Sequence, residues 1–402
     1  MPSASWVPVP DGGDFPVENL PYGIFSRPGE LPRAGVAIGE QVLDLAGLAA
    51  DGLIEDHRWF AAGSLNAFLI AGRATWRANR ERLTRLLTDG EYRAKVTPHL
   101  TPLTDVTLYP PVRVGDVLMF CASAEHAAAV HRARRSGEPY APHRQLPVGR
   151  HGRAGAVRVS GAPVVRPCGQ YRGEGEEGPA FGPTRRLDFQ AGLGFVVGVP
   201  SAAGRAVSGA AFGEHVFGYV LVNDWAARDV EAWEDHPYGP FLGTSFGTSL
   251  SPWLVPLDAL EAARVWAPEP EEAPLPYLRV GEDWGLDVTL EVALNGHPVA
   301  GGPAAGLAWT GPQLLAHGTV NGAAVRTGDL FGSGAISGGP ERPGSMLELT
   351  ADGTSPVELP DGTARAYLED GDTISLTAHA PGIGDTRIGF GEVTNTIHPA
   401  TC

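Results

Sequence analysis

His126 stands in Ser-Ala-Glu-His-Ala-Ala-Ala-Val, just after the apolar run Val117–Phe120, and is a candidate proton carrier. An imidazole changes charge near neutral pH and is the commonest general acid or base, although a lone histidine is more often structural. Further on, Asn223-Asp-Trp-Ala-Ala-Arg-Asp-Val-Glu-Ala-Trp-Glu-Asp-His236 follows a strongly apolar stretch. Asp224 and Arg228 are spaced to face each other across one helical turn. A plain helix cap at Asp224 explains the pattern nearly as well. Residues 131–153 gather His131, Arg132, Arg134, Arg135, His143, Arg144, Arg150, His151 and Arg153 in an otherwise acidic chain. Interleaved Gly and Pro argue against a helix there. The segment reads either as a solvated loop or as a flap whose guanidinium forks receive carboxylates.

Other patterns lack the context their chemistry needs. Gly243-Thr-Ser-Phe-Gly247 has the form of a nucleophile elbow, but Pro252 follows too soon for the required helix, so a glycine turn is favoured. The run Gly332–Gly339 has no Lys-Ser/Thr after it and is no phosphate loop. Gly192, Gly194 and Gly198 have the wrong spacing for a dinucleotide fingerprint. Lys95 is the only lysine, and it sits in a charged helical tail, away from any of these features.

These side chains need elements to hold them. Short apolar runs over 14–27 and 33–47, broken by Pro and Gly, predict strands and turns. Leu65, Phe68, Leu69, Trp76, Leu83, Leu86 and Leu87 carry helical spacing within 64–98. Pro98 to Pro111 reads as a linker. Beyond it the signal is mostly β: Val117–Phe120, Ala156–Ser160, Phe189–Val199, Val216–Asn223, Val288–Leu294, Met346–Thr350 and Thr373–Ala378 are candidate strands. Asn295-Gly296 closes a hairpin. Long Gly/Pro connections favour a convoluted β-roll or barrel over alternating βα units.

Composition sets the outer limits. The chain has 402 residues, 54 Gly, 36 Pro and a formal charge of −16, which leaves room for two or three domains and argues against nucleic acid as partner. No secretory signal and no apolar run of about 18 residues is visible, so a soluble cytoplasmic protein with no membrane partner is expected. The cysteines Cys121, Cys168 and Cys402 make no disulfide framework or zinc spacing.

Longer stretches resemble the fumarylacetoacetase family: Phe15-Pro-Val-Glu-Asn-Leu-Pro-Tyr-Gly-Ile-Phe-Ser26, Gly35–Gly39, Leu146-Pro-Val-Gly-Arg-His-Gly-Arg153, Asn223–Asp229, Gly239–Thr248 and Gly344–Leu349. The resemblance spans nearly the whole chain. It implies a mainly β, α+β protein: a small SH3-like N-terminal barrel over 1–112 and a larger fumarylacetoacetate hydrolase-type β-roll catalytic domain over 113–402. It also implies a homodimer and metal-assisted hydrolysis of a carbon–carbon bond in a 1,3-diketone acid, with a His–Glu pair activating water.

Carried over residue by residue, the resemblance places the water-activating pair on His126 and Glu348. The oxyanion arginine falls on Arg228 and the lid arginine on Arg135, with Arg134 open as an alternative. The four metal carboxylates fall on Met119, Gln190, Gly192 and Asp224, so only Asp224 remains as a residual ligand. One carboxylate beside a thioether is a poor site for a hard cation. No cofactor is expected, with weak Mg²⁺ or Ca²⁺ at Asp224 left open. The lysine and threonine beside the metal become Thr244 and Thr248. Substrate-binding positions fall on Cys121, Arg150, Asp235, Glu231 and Ala335, all changed in type.

The expected function is therefore His126–Glu348 acid/base chemistry on a small anionic, enolisable 1,3-dicarbonyl compound. Arg150, Arg228 and Arg135 would make the site cationic where the metal once sat. C–C hydrolysis is favoured, without the metal and not on fumarylacetoacetate. The alternatives are a decarboxylase, tautomerase or cyclase of secondary metabolism, a binding protein without turnover, and a metal enzyme with ligands moved to Asp224, Glu231 and Asp235.

Overall fold

The computed structural model describes residues 4–134, 144–173, 178–235, 239–270 and 272–402. Short strands open the chain as expected. Tyr22–Ser26, Arg33–Ile38 and Gln41–Asp44 pair antiparallel in sequence order. The helix Arg73–Thr88 follows, burying Trp76, Leu83, Leu86 and Leu87 along one stripe. The indole of Trp76 meets Phe217 edge-on at 5.2 Å, which joins this helix to the larger sheet.

Pro98–Pro111 is not a linker. Leu100–Pro102 pairs with Gln41–Asp44, and Thr107–Tyr109 pairs with Tyr22–Ser26. Its prolines mislead because proline is tolerated at strand ends and sheet edges, where no ladder N–H is required. Tyr22–Ser26 also pairs with Trp253–Pro256, so hydrogen bonding continues from the N-terminal strands into the second half of the chain.

That second half is sheet-dominated, and the protein is mainly β in an α+β arrangement. At its centre runs Val216–Asp224, whose nine residues are all buried. Ala191–Val197 lies on one side, and Thr248–Leu250 with Trp253–Pro256 on the other. Leu330–Gly332, Val117–Cys121 and Val148–His151 extend the sheet outward. A continuous apolar run suits a strand covered on both faces. A second sheet contains the hairpin of Thr289–Leu294 and His297–Pro303, turned by Asn295 at φ 52° and Gly296 at φ 82°. Both positive angles are what a two-residue hairpin loop requires.

Three local expectations change. Met346–Leu349 is a helical turn, not a strand. Ser345 caps it, its hydroxyl accepting from the Glu348 N–H, and this Ser-x-x-Glu pattern outweighs the apolar run. The helix Ala124–Arg134 takes in His131 and Arg132, which the flap reading placed in a loop. Its alanines favour helix. Finally, Cys168 and Cys402 form a disulfide with Cα atoms 6.3 Å apart. Pairing of Ile397 and His398 with Val164 and Val165 brings the two cysteines together, a contact that sequence spacing does not display. Gly243–Gly247 is a glycine turn running into a strand, as expected. A Cβ on Gly243 would lie 2.5 Å from the Glu231 backbone nitrogen, so the turn approaches that helix too closely for a side chain.

Candidate active site

A cleft of about 730 Å³ opens beside the central sheet. Of the sequence-derived candidates, Met119, Cys121, His126, Arg150, Gln190, Asp224, Arg228, Glu231 and Asp235 line it. Glu348 stands behind His126. Thr244 and Ala335 are buried and off its wall, and Arg135 lies outside the described residues. His131 and His151 line the cleft as well. The buried Nε2 of His131 has no hydrogen-bond partner among the described residues. Sequence reasoning counts both histidines only as flap charge.

His126 and Glu348 come together as the resemblance implied. His126 is 3% exposed and rides on the helix that follows the strand Val117–Cys121. Its Nδ1 lies 2.8 Å from Glu348 Oε2. That oxygen also accepts from the hydroxyls of Ser345 at 2.7 Å and Ser337 at 3.0 Å, and from the Gly344 N–H at 3.2 Å. Burial alone would raise the Glu348 carboxyl. The charge of His126 and the hydrogen bonds from His126, Ser345 and Ser337 outweigh it and hold the group at about 2. A carboxylate so fixed orients the ring and leaves Nε2 as the nitrogen able to exchange a proton.

Asp224 and Arg228 do not face each other. Asp224 ends a strand, and Ala226–Ala227 intervene before the helix Arg228–Glu234 begins, so helical spacing never applies between them. Nor does Asp224 cap that helix, whose N-cap is Ala227. Instead Arg150 Nη2 donates to Asp224 Oδ2, and Arg150 Nη1 donates to the Thr244 carbonyl at 2.8 Å. Thr248 donates to the other Asp224 oxygen at 3.2 Å. Burial pushes the Asp224 carboxyl up, and the Arg150 guanidinium counters it.

Arg228 is 4% exposed and donates from Nε to Asp188 at 2.7 Å and from Nη1 to Glu231 at 3.1 Å. Burial alone would lower its guanidinium, but Asp188 and Glu231 outweigh that and raise it. Its Nη2 is buried and has no partner among the described residues. The expectation of a cationic site fails among the described residues: Arg150 is matched by Asp224, and Arg228 by Asp188 and Glu231. Buried guanidinium groups need such partners. Glu231 stands three residues on in the same helix as Arg228, but linear reading could not show that Asp224 and Asp188 would supply the other carboxylates.

The positions implied for a divalent metal do not fit one. Met119 is packed against Gly332, where a Cβ would lie 2.2 Å from its sulfur. A Cβ on Gly192 would lie 2.3 Å from the Gly334 carbonyl oxygen, so no carboxylate-bearing side chain has room there. The one acid, Asp224, already receives Arg150 and Thr248. Among the described residues no group of three or more His, Cys, Asp or Glu side chains is arranged to hold a metal, the set Asp224, Glu231 and Asp235 included.

Comparison with known proteins decides the family. The model described as "Fumarylacetoacetate (FAA) hydrolase C-terminal" matches residues 117–398, and "Fumarylacetoacetase N-terminal" matches 18–111. This chain belongs to the fumarylacetoacetate hydrolase family. It is 42% identical to the fumarylacetoacetase of Bos taurus over 98% of this chain and 99% of that protein. It is 41% identical to the Homo sapiens fumarylacetoacetase over the same shares. A solved fumarylacetoacetate hydrolase from Exiguobacterium antarcticum shares the fold, with a TM-score of 0.55 at 17% identity over 94% of this chain and 99% of that one. The chain is thus a fumarylacetoacetase-like enzyme, a hydrolase acting on carbon–carbon bonds. No described helix is long and apolar enough to cross a membrane.

Proposed function

We propose that this enzyme hydrolyses a carbon–carbon bond in a small, anionic, enolisable 1,3-dicarbonyl compound other than fumarylacetoacetate, without the family's metal. The observation that carries this reading is the Arg150 guanidinium anchored on Asp224 and the Thr244 carbonyl, in the same cleft as the His126–Glu348 pair. Identity of about 40% to fumarylacetoacetases supports the reaction class. The altered side chains at Cys121, Arg150, Glu231 and Asp235 support a different substrate, because unmet polar groups discriminate strongly.

His126 Nε2 takes a proton from water while Glu348 holds the ring and stabilises the imidazolium. The hydroxide adds to one carbonyl carbon, and its oxygen becomes an alkoxide that the unpartnered Arg228 Nη2 receives. Collapse of the alkoxide to a carboxyl group breaks the bond to the central carbon. The departing electron pair delocalises as an enolate onto the second carbonyl oxygen, beside Arg150. Protonation of the central carbon by the His126 imidazolium gives the ketone and restores the base. A guanidinium presents hydrogen bonds rather than a coordination bond, and its planar fork suits paired oxygens. We place the protein in the cytoplasm as a homodimer, divided near residues 112 and 113, with Arg135 as lid and Cys121, Glu231, Asp235, Thr244 and Ala335 shaping specificity.

The test assays purified protein on fumarylacetoacetate and on simpler 2,4-dioxo acids in H₂¹⁸O, before and after dialysis against a chelator. Turnover of a dioxo acid with one ¹⁸O in the new carboxylate, unaffected by chelation, is expected. Fast cleavage of fumarylacetoacetate would overturn the substrate assignment. Chelator loss restored by Mg²⁺ would overturn the metal-free mechanism. Product without ¹⁸O would point to decarboxylation, tautomerisation or cyclisation instead.

A further inference from the structure

Asp188 has no part in the proposed chemistry, yet its side chain is wholly buried among the groups that do. Its Oδ1 accepts from the Met346 N–H at 2.6 Å. Its Oδ2 accepts from the Leu347 N–H at 3.3 Å and from Arg228 Nε at 2.7 Å. Met346 and Leu347 open the helical turn that carries Glu348. One carboxylate therefore holds both the turn that aims Glu348 at His126 and the guanidinium of Arg228. The neighbouring backbone is stitched in the same place: Gln190 bridges Ser345, and the Ala191 N–H donates to the Gly344 carbonyl at 3.0 Å.

We propose that Asp188 is a positioning residue that fixes Glu348 and Arg228 relative to each other, so that the base and the oxyanion-binding arginine are set as one unit. Its acceptor character is what the place demands. Met346 N–H, Leu347 N–H and Arg228 Nε–H are all donors converging on one point. An ionised carboxylate offers acceptor sites only and can meet every one of them. An asparagine of the same shape must turn its NH₂ toward one of these donors, leaving buried groups unpaired. The first N–H groups of a helical turn have no partner within the turn, so without Asp188 the Met346 end is free to shift. A shift of the order of 1 Å at that end carries Glu348 away from His126, enough to cost about 10²-fold in rate.

The catalytic meaning rests on the function proposed above, but the geometry is testable without turnover. The probe is the low-field ¹H resonance of the hydrogen bond between His126 Nδ1 and Glu348, assigned by its absence in His126→Gln. Asp188→Asn is expected to abolish or displace this resonance while the indole N–H signals of Trp59 and Trp266 stay in place. Arg228→Gln is expected to retain it, because Asp188 still accepts from Met346 and Leu347. If Asp188→Asn alone does not fold, the double variant Asp188→Asn/Arg228→Gln, which removes the Asp188 charge together with the guanidinium it accepts from, takes its place with the same expected loss. An unaltered resonance in whichever of these two variants folds overturns the proposal. A wild-type resonance that depends on Asp188, in a protein that cleaves no dioxo acid, would overturn the proposed function and leave the positioning role standing.

Discussion

The Arg150 guanidinium rests on the Asp224 carboxylate, joining the strand Val148–His151 to the last residue of the strand Val216–Asp224 across the cleft. Asp224 is 2% exposed. Arg150→Gln leaves that acid buried without its cation, and a loss of about 3–5 kcal/mol of stability is expected. Asp224→Asn/Arg150→Gln together should cost less than the sum of the single changes, which urea unfolding of all four proteins would measure. Strict additivity would mean that the two side chains do not depend on each other.

Glu348→Gln keeps the shape behind His126 and removes the charge that favours the imidazolium. A fall in kcat of about 10²–10⁴-fold is expected for this variant, with binding of a non-hydrolysable dicarbonyl little changed. Steady-state rates with calorimetric titration separate the two. Unchanged kcat would remove His126–Glu348 from the reaction.

Glu348 is held at about 2 in the folded protein against its ordinary 4.5. A depressed carboxyl contributes stability above the unfolded value and loses it as pH falls through the folded one. The denaturation midpoint should therefore drop between about pH 4.5 and pH 2, and more steeply in wild type than in Glu348→Gln. Parallel slopes over that range would contradict this.

Gly192 faces the Gly334 carbonyl so closely that even a methyl group has no place. Gly192→Ala should lower stability by about 1–3 kcal/mol through overpacking. Gly192→Glu should not by itself create a Mg²⁺ site in isothermal titration. Tight stoichiometric binding by that single variant would show that the backbone yields more readily than its packing indicates.

The fold was legible wherever pattern and physics were local. The strand Val216–Asp224 announced itself by continuous apolarity, the Arg73–Thr88 helix by its spacing, and Asn295-Gly296 by turn chemistry. His126, Glu348 and Arg228 were legible through likeness to a family, since no local pattern links residues 222 positions apart, as His126 and Glu348 are. What stayed hidden was pairing. Asp224 and Arg228 stand in one short motif, yet Asp224 takes Arg150 as its partner, and Arg228 takes Asp188 from a distant strand as well as the nearby Glu231. Asp188 itself carried no signal, being one acid beside an apolar strand. The turn at Met346 reads as a strand because its apolar residues look the same in either conformation until the Ser345 cap is weighed.

The bond between Cys168 and Cys402 closes a loop with a sequence separation of 234 residues. Tying such distant points restricts the unfolded chain far more than the folded one, by an entropy worth on the order of 5 kcal/mol. In an oxidising medium this enzyme would thus resist unfolding through a constraint that touches none of its reacting groups. In a reducing cytosol the same two sulfurs are thiols, and the packing of the sheets must hold the fold without that help.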